Sequence, residues 1–459
     1  MSHSSSFSLS LHDSATGEVK PAPVHDNVSF YACGITPYSS SHIGHGRSYV
    51  VFDLMVKLLR ASGKDVTFVR NITDIDDKII LEAQKKGLKW HEVSDFYAQE
   101  NRELFEKMGL NELVLEPKAS DYLPKMFELI NTLLQQGQAY VSDRGDVLFD
   151  TTHDQGSFVV VHKDKLQGGR VDHTGKRHDE DFVLWKTVKE GEVFFDSPFG
   201  RGRPGWHLEC SSMIDDLLGS TIDYHGGGVD LKFPHHHAEC LQSFAFRQQP
   251  LAKHWLHHGV IRDEFGQKMS KSLGNVVLLE DAISYAQSLM GNEELGGQLL
   301  RLALLGTLWT KPMDFSFGLI DQMHERMKDI SQALASAEEK EKDPNIHNPL
   351  LEVLYHNMNT PLFFTMAQQF AKQALQGDNK AQLWLLEGVG ALGVPNEFLA
   401  LFNEEKTYSD DVLTLIELRE RYRQEKNFEE ADKIRDTLLE QGVDLKDQKI
   451  AQSKKTTPT

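Results

Sequence analysis

The stretch VSFYACGITPYSSSHIGHGRSYVVFDLMVKLLRASGKDVTFVRNITD, residues 28–74, decides the fold. Val28 to Cys33 is a short apolar run of β-forming residues, closed by the loop chemistry of Gly34 and Pro37. Past Ser39-Ser40-Ser41, the residues Val50, Val51, Leu54, Met55, Leu58 and Leu59 recur at helical spacing until Ser62-Gly63, with Ser41 or a neighbour as the cap. Val66 to Ile72 reads as a second strand. Strand, helix and strand in this order make a βαβ unit, which requires a parallel sheet with a right-handed crossover. Cys33 and Asn71-Ile72-Thr73-Asp74 then share the carboxyl edge of that sheet. In doubly wound sheets ligands bind at this edge, where the strand order reverses.

Working outward, the texture changes from about Glu116 to Gly205: a helical stretch over Phe127 to Leu134, short strands, and a polar run from His173 to Asp181. This reads as an insertion between two halves of the sheet. The α/β pattern resumes with a helix from Trp206, a strand over Thr221 to Tyr224, a loop at Gly226-Gly227-Gly228 and a helix from His235. Beyond Trp309 strand signals nearly vanish, and heptad-like spacing as far as Leu445 implies a helical region, followed by the polar tail Ile450 to Thr459.

Composition bounds the function classes. At 459 residues the chain has room for about three domains, and 40% hydrophobic residues supply a sizeable core without staples. Lys and Arg number 49 against 68 Asp and Glu, a net charge of −19. That excludes a general attraction to nucleic acid or anionic membranes and confines any nucleic-acid contact to a local basic patch. The opening MSHSSSFSLSL lacks a basic n-region, and no later stretch is apolar for eighteen residues, so a cytoplasmic protein with no membrane partner is expected. Three cysteines cannot build a disulfide framework, which leaves them free or metal-bound. Seven of the 21 histidines lie between His225 and His258.

Three constellations carry chemistry. His235 and Glu239, four apart on a predicted helix, share a face. Alone, the pair reads more plainly as a surface histidine beside a carboxylate. With Cys210 near a helix start and Cys33 at a strand end it becomes a Cys₂-His-carboxylate set suited to zinc. Cys240 points elsewhere on the helix and reads as a buried free thiol. His42-Ile43-Gly44-His45 stands at a helix entrance, where backbone N–H groups favour phosphate and Gly44 allows a close approach. Lys268-Met269-Ser270-Lys271-Ser272 puts two lysines on a glycine-flanked loop, whose plainer reading is a solvated charged turn.

HIGH and KMSKS, in this order, are the paired signature of class I aminoacyl-tRNA synthetases, which the chain therefore resembles. More specifically, YACGITPYSSSHIGHGRSYVVFD, NITDIDDKII, DFVLWK, SPFGRGRPGWHLECSSM, HGGGVDLKFPHH and KMSKSLGN resemble the blocks of the cysteinyl-tRNA synthetase family, from Ser29 to Asn275. The resemblance implies an α/β fold: a Rossmann-like catalytic domain whose parallel sheet is split by an insertion, followed by an all-α carboxyl-terminal helical bundle. It divides the chain into the first catalytic half (1–115), the connective insertion (116–205), the second half with the zinc site (206–265), the KMSKS loop and stem-contact region (266–315) and the helical tRNA- and anticodon-binding region (316–459). It places zinc ligands on Cys33, Cys210, His235 and Glu239, with His236 as the rival of His235. Substrate contacts fall on Gly34, Thr73 and Trp206, the last reading equally as ordinary core packing. ATP contacts fall on Gly44, Gly226, Asp230 and Lys271, and catalytic roles on His42, His45, Lys268 and Lys271. The implied reaction is attack of the L-cysteine carboxylate on the α-phosphate of ATP, with Mg²⁺, then transfer to the 3′ end of tRNA(Cys). The implied state is a monomer. A soft zinc centre takes a thiolate where serine offers a harder hydroxyl, so discrimination of roughly 10⁴ or more needs no editing.

Departures from the family pattern are local. Phe199 stands where the family has Trp, and His237 and Ala238 where it has an acidic residue and Asn. RERYRQEKNFEEADKIRDTLLEQGV (419–443) resembles the anticodon-side helices, yet its Arg419, Arg421, Arg423, Lys426 and Lys433 share the stretch with acidic residues, so a solvated helix face is an equal reading. The family's Trp-containing basic tail is replaced by KDQKIAQSKKTTPT. A cysteine-activating ligase with an amino-sugar acceptor also resembles this core, but the helical region from about Phe315 favours tRNA. A zinc-stabilised RNA-binding protein without activation chemistry is opposed by the intact HIGH and KMSKS.

Overall fold

A computed structural model describes residues 7–110, 114–153, 175–188, 191–269, 273–335, 347–402, 410–425 and 427–440. A hairpin of β1 (Ser10–Asp13) and β2 (Glu18–Pro21) precedes the expected unit, which consists of β3 (Asn27–Ile35), α1 (Ile43–Ala61) and β4 (Asp65–Ile72). The strands pair in parallel, Phe30 opposite Phe68. The cap of α1 is His42, the neighbour of Ser41. Helices α2 (Asp77–Lys86) and α3 (Trp90–Lys107) follow.

The insertion consists of α4 (Leu123–Gln135) and an antiparallel sheet of β5 (Ala139–Val141), β6 (Val147–Phe149), β7 (Phe182–Thr187) and β8 (Gly202–Pro204). The chain then re-enters the parallel sheet through α5 (Trp206–Leu217), β9 (Ile222–Gly228), α6 (His237–Arg247) and β10 (Ala252–His258). The strand order β10-β9-β3-β4 reverses between β3 and β9, and that is the switch point where such sheets bind ligands. One expectation is corrected here. Gly226 to Gly228 is no loop but the end of β9, with Gly228 paired to His258. A Cβ on Gly226 would lie 2.6 Å from the Phe52 ring, and one on Gly227 2.7 Å from His236, so close packing on both faces takes glycine into a strand.

Because side chains alternate along a strand, β3 serves two cores. Phe30 and Ala32 face a core built on α1 that continues into the later helices. Tyr31 and Cys33 face a second core shared by α4, α5, α6 and the insertion strands. Cys33 thus looks toward the helices that carry Cys210 and Glu239. Helix α1 is buried on nearly every side, as expected of a helix between a sheet and further helices. The edge of β10 is covered by the hairpin, with Ser14 N donating to Trp255 O at 2.8 Å.

After β10 come β11 (Ile261–Arg262), α7 (Leu279–Met290), α8 (Glu293–Leu304) and β12 (Met313–Asp314), β11 and β12 being parallel. The expected helical region follows as α9 (Gly318–Ala335), α10 (Pro349–Tyr355), α11 (Thr360–Leu375), α12 (Asn379–Ala391) and α13 (Asn396–Leu401). Arg301, fully buried, ties this region to α1 by donating to Leu392 O at 2.7 Å and to Asp53 Oδ2 at 3.2 Å. A separate unit begins at Asn403. Its helices α14 (Asp410–Gln424) and α15 (Phe428–Glu440) close on Ile416 and Leu438, and Arg423, Lys433 and Arg435 pair with acidic neighbours on their own helices. The polar tail lies outside the described residues, among which no helix is long and apolar enough to cross a membrane.

Candidate active site and metal centre

Cys33, Cys210, His235 and Glu239 converge. One ligand atom from each lies within 4.8 Å of all the others, and all four side chains are buried or nearly so. Cys33 comes from the irregular end of β3, Cys210 from the second turn of α5, His235 from the turn before α6 and Glu239 from the first turn of α6. Cys33 Sγ is 3.9 Å from Cys210 Sγ and 3.8 Å from Glu239 Oε1, and Cys210 Sγ is 3.6 Å from His235 Nε2. For a tetrahedral zinc with bonds of about 2.0–2.3 Å the ligand–ligand edges are about 3.3–3.8 Å. Two of the three distances lie in this range, and the Cys33–Cys210 pair is about 0.1 Å wider than it. His235 Nε2 and Glu239 Oε1 stand closer, at 2.8 Å, as hydrogen-bonded partners.

The surroundings hold the set in place. His207 Nδ1 meets His235 Nδ1 at 2.9 Å, and His225 Nε2 meets Glu239 Oε2 at 2.5 Å, the outer contacts that orient ligands. His236, the rival, is also present: its Nε2 is 3.2 Å from Cys33 Sγ and its Nδ1 is 2.7 Å from His257 Nε2. It belongs to an overlapping set of Cys33, His225, His236 and Glu239, which has one sulfur in place of two. His225 and His257 were visible in the sequence only as members of a histidine-rich stretch.

Charge follows from this packing. Burial alone would raise the Glu239 carboxyl, but His225 and His235 flank it and hold it well below the ordinary range. The Cys33 hydrogen bond draws the Cys210 thiol down to about 6, while burial keeps Cys33 well above its usual value. Burial opposes a charged His235, yet Glu239 and Cys210 outweigh it and push the imidazole up to about 10. Burial pushes His207 down to about 3. A carboxylate and a thiolate are thus ready beside each other at neutral pH, a donor set for a soft or borderline cation.

The residues expected to touch substrate gather at the same edge. Asn71 joins two of them: its Oδ1 accepts from Gly34 N at 2.9 Å and its Nδ2 donates to Thr73 Oγ1 at 3.0 Å. Trp206 is 42% exposed, so it is not core packing, and its ring stacks on His235 at 4.2 Å. At the helix entrance, His42 Nδ1 accepts from Gly44 N at 3.1 Å, His42 N donates to His45 Nδ1 at 3.3 Å, and the two rings stack at 3.8 Å. Lys268 is exposed and bridges to Arg262 across the base of its loop. Lys271 lies outside the described residues. Asp230 is exposed just past β9, while Gly226 is buried beneath Phe52 and Phe30.

Known proteins match this architecture. Residues 20–325 fit the family model for the class I (C) tRNA synthetase catalytic domain. The chain is 35% identical over 448 residues to a cysteine–tRNA ligase of Sulfurimonas denitrificans, covering 92% of this chain and 93% of that one. It is 37% identical over 437 residues to one from Methylobacillus flagellatus, covering 92% and 93%. The chain belongs to the cysteine–tRNA ligase family. It is an aminoacyl-tRNA synthetase of class I, a ligase. Solved structures agree on the fold: Mycobacterium tuberculosis methionyl-tRNA synthetase superposes with a TM-score of 0.56 at 13% identity over 82% of this chain and 90% of that one. A leucyl-tRNA synthetase from Agrobacterium radiobacter superposes with a TM-score of 0.55 at 11% identity, over 84% and 86%. The clustered thiols, imidazoles and carboxylate lie at the switch point of the parallel sheet.

Proposed function

We propose that this cysteine–tRNA ligase activates L-cysteine with ATP to cysteinyl-adenylate, releases pyrophosphate, and transfers cysteine to the 3′ end of tRNA(Cys). The observation that carries the reading is the convergence of Cys33, Cys210, His235 and Glu239 at the switch point. These four would hold zinc, the two sulfurs favouring them over the overlapping set with His236. When bound, zinc supplies a soft Lewis-acidic centre that favours a thiolate over a hydroxyl. Trp206, stacked on His235, would wall one side of the pocket, and Asn71 would keep Gly34 and Thr73 in register with it.

In activation a cysteine carboxylate oxygen bonds to the α-phosphorus of ATP as the bond from that phosphorus to the bridging oxygen breaks and pyrophosphate leaves. No protein nucleophile is needed, so the residues position and neutralise. His42 and His45, stacked at the positive end of α1, would donate to the α-phosphate oxygens. Lys268 and Lys271 would neutralise the departing pyrophosphate, with Mg²⁺ sharing its charge. Gly226 and Asp230, at the end of β9 and just beyond it, are assigned to the adenosine side. In the second step a terminal hydroxyl of tRNA attacks the adenylate carbonyl and AMP leaves.

The test is ATP–pyrophosphate exchange dependent on cysteine, with serine in parallel. Exchange with cysteine alone supports the reading, and equal exchange with serine or none with either opposes it.

A further inference from the structure

Arg47 stands two residues past His45 on α1, and its side chain is fully buried. Among the described residues no acidic side chain pairs with it. Instead its guanidinium donates to three backbone carbonyls: Nη2 to Lys311 O at 2.8 Å and to Leu308 O at 3.2 Å, and Nη1 to Val260 O at 3.4 Å. Among the described residues its Nε finds no acceptor. Burying a cation is unfavourable, and packing an apolar side chain in such a place is often neutral or stabilising. Burial lowers this guanidinium to about 10, an index of the same cost. What Arg47 adds over an apolar residue is geometry, since a rigid fork fixes three points at once.

Those points are the roots of the lysine-bearing loop. Val260 leads directly into β11, which runs on to Lys268, while Leu308 and Lys311 belong to the turn before β12, the partner of β11. The junction is tight: a Cβ on Gly259 would lie 2.1 Å from Lys311 O. On its exposed side the same root is fastened by Arg262, which pairs with Asp314 at 2.6 and 3.1 Å. The returning end of the loop is fastened to the entrance of α1 as well, through Ile43 N to Val277 O at 3.0 Å and Leu279 N to Ser41 O at 2.8 Å. Both ends of residues 261–276 are therefore referenced to the helix turn that carries His42 and His45.

We propose that Arg47 is a positioning residue for ATP activation, setting where the lysine loop leaves the fold relative to the His42–His45 pair. This rests on the reading above that the two histidines and the lysines act on the phosphates. It predicts an effect on the turnover of activation and not on the cysteine pocket, which is built from other elements.

The experiment uses the whole chain with Arg47→Met, Arg47→Lys and, because a buried variant can fail to fold, Asp314→Asn, whose half-exposed pair contributes little to stability. Cysteine-dependent ATP–pyrophosphate exchange gives kcat and the KM values for ATP and cysteine, and thermal melting reports folding. For Arg47→Met kcat should fall about 10- to 100-fold, the scale of a displacement near 1 Å, with KM for cysteine within about 2-fold. Arg47→Lys, which lacks the fork, should fall in the same direction, and Asp314→Asn should show the same split with a loss of a few-fold. Combined with Lys268→Ala, the loss from Arg47→Met should be less than multiplicative, because both act through one loop. The proposal is overturned if folded Arg47→Met or Asp314→Asn keeps kcat within about 2-fold of the parent, if kcat and cysteine affinity fall together, or if the double variant is multiplicative. A parent protein without cysteine-dependent exchange would instead overturn the activation reading beneath it.

Discussion

Replacing Gly34 by alanine tests the link between backbone packing and the cluster at the switch point. A Cβ at this position would lie 1.7 Å from the backbone oxygen of Asn71 and 2.8 Å from its carbonyl carbon. Ordinary contact begins at 3.4 Å, so β3 and β4 must separate by about 1.7 Å at the point where Gly34 N bonds Asn71 Oδ1. Neither neighbour is a flexible side-chain end that swings away. Cys33, the adjacent residue, moves with the strand, and a metal site tolerates displacements of only about 0.2 Å. Strain of this kind costs about 1–3 kcal/mol of stability, and a misplacement above 1 Å costs about 100-fold in rate. Gly34→Ala is therefore expected to lower cysteine-dependent exchange at least about 100-fold and to lose zinc to a chromophoric chelator far faster than the parent. Gly390→Ala is the control: no described residue lies within 4 Å of its added Cβ, so the folded protein should be unchanged or stabilised by up to about 1 kcal/mol. A Gly34→Ala protein that retains zinc and exchanges at the parent rate would refute the reasoning.

Cys210→Ser should weaken cysteine selection more than ATP binding, measured as separate affinities; equal losses in both would point to a structural role for the centre. Trp206→Ala removes a half-exposed ring stacked on His235, so melting should barely change while KM for cysteine rises about 2- to 10-fold, the range set by a stacking contact of about 0.5–1.5 kcal/mol. An unchanged KM would remove Trp206 from the pocket. Acid should destabilise the fold through Asp13 and Asp223. Burial opposes ionisation of both, yet Lys20 and the Trp255 amide outweigh it at Asp13, and Lys253 and the Ser29 amide at Asp223, so both titrate below their ordinary value. Their contribution is complete above the unfolded carboxyl value of about 3.9 and is lost as pH falls through the folded values. Urea midpoints should drop below about pH 4, less steeply for Asp223→Asn, and equal slopes in parent and variant would contradict the assignment.

The βαβ unit was legible because Val28 to Cys33 and Val66 to Ile72 are short apolar runs around a periodic helix, a pattern that local sequence carries by itself. Cys33, Cys210, His235 and Glu239 were legible by chemical type, and their meeting follows from the pleat that turns Cys33 toward α5 and α6. Gly226 to Gly228 misled because glycine signals a loop locally, whereas the need for it comes from Phe52 and His236, distant in sequence. His225 and His257 showed only as a histidine count, since their partners Glu239 and His236 are chosen by strand register. Arg47 gave no signal, because one arginine within a helix does not show that every side of it is buried. The boundary near Asn403 left only a trace in the sequence, breaks in the helical spacing near Gly393 to Pro395 and at Tyr408-Ser409, because it is packing that defines the two units.

The central claim is that two cysteine sulfurs, an imidazole and a carboxylate form a centre that receives the thiolate of cysteine. X-ray absorption at the zinc edge, on the zinc-loaded protein before and after cysteine is added, tests it most directly. The account predicts two sulfur ligands at about 2.3 Å and two nitrogen or oxygen ligands at about 2.0–2.2 Å, with an additional sulfur when cysteine is present and no change with serine. A single protein sulfur, or a coordination shell indifferent to cysteine, would contradict it.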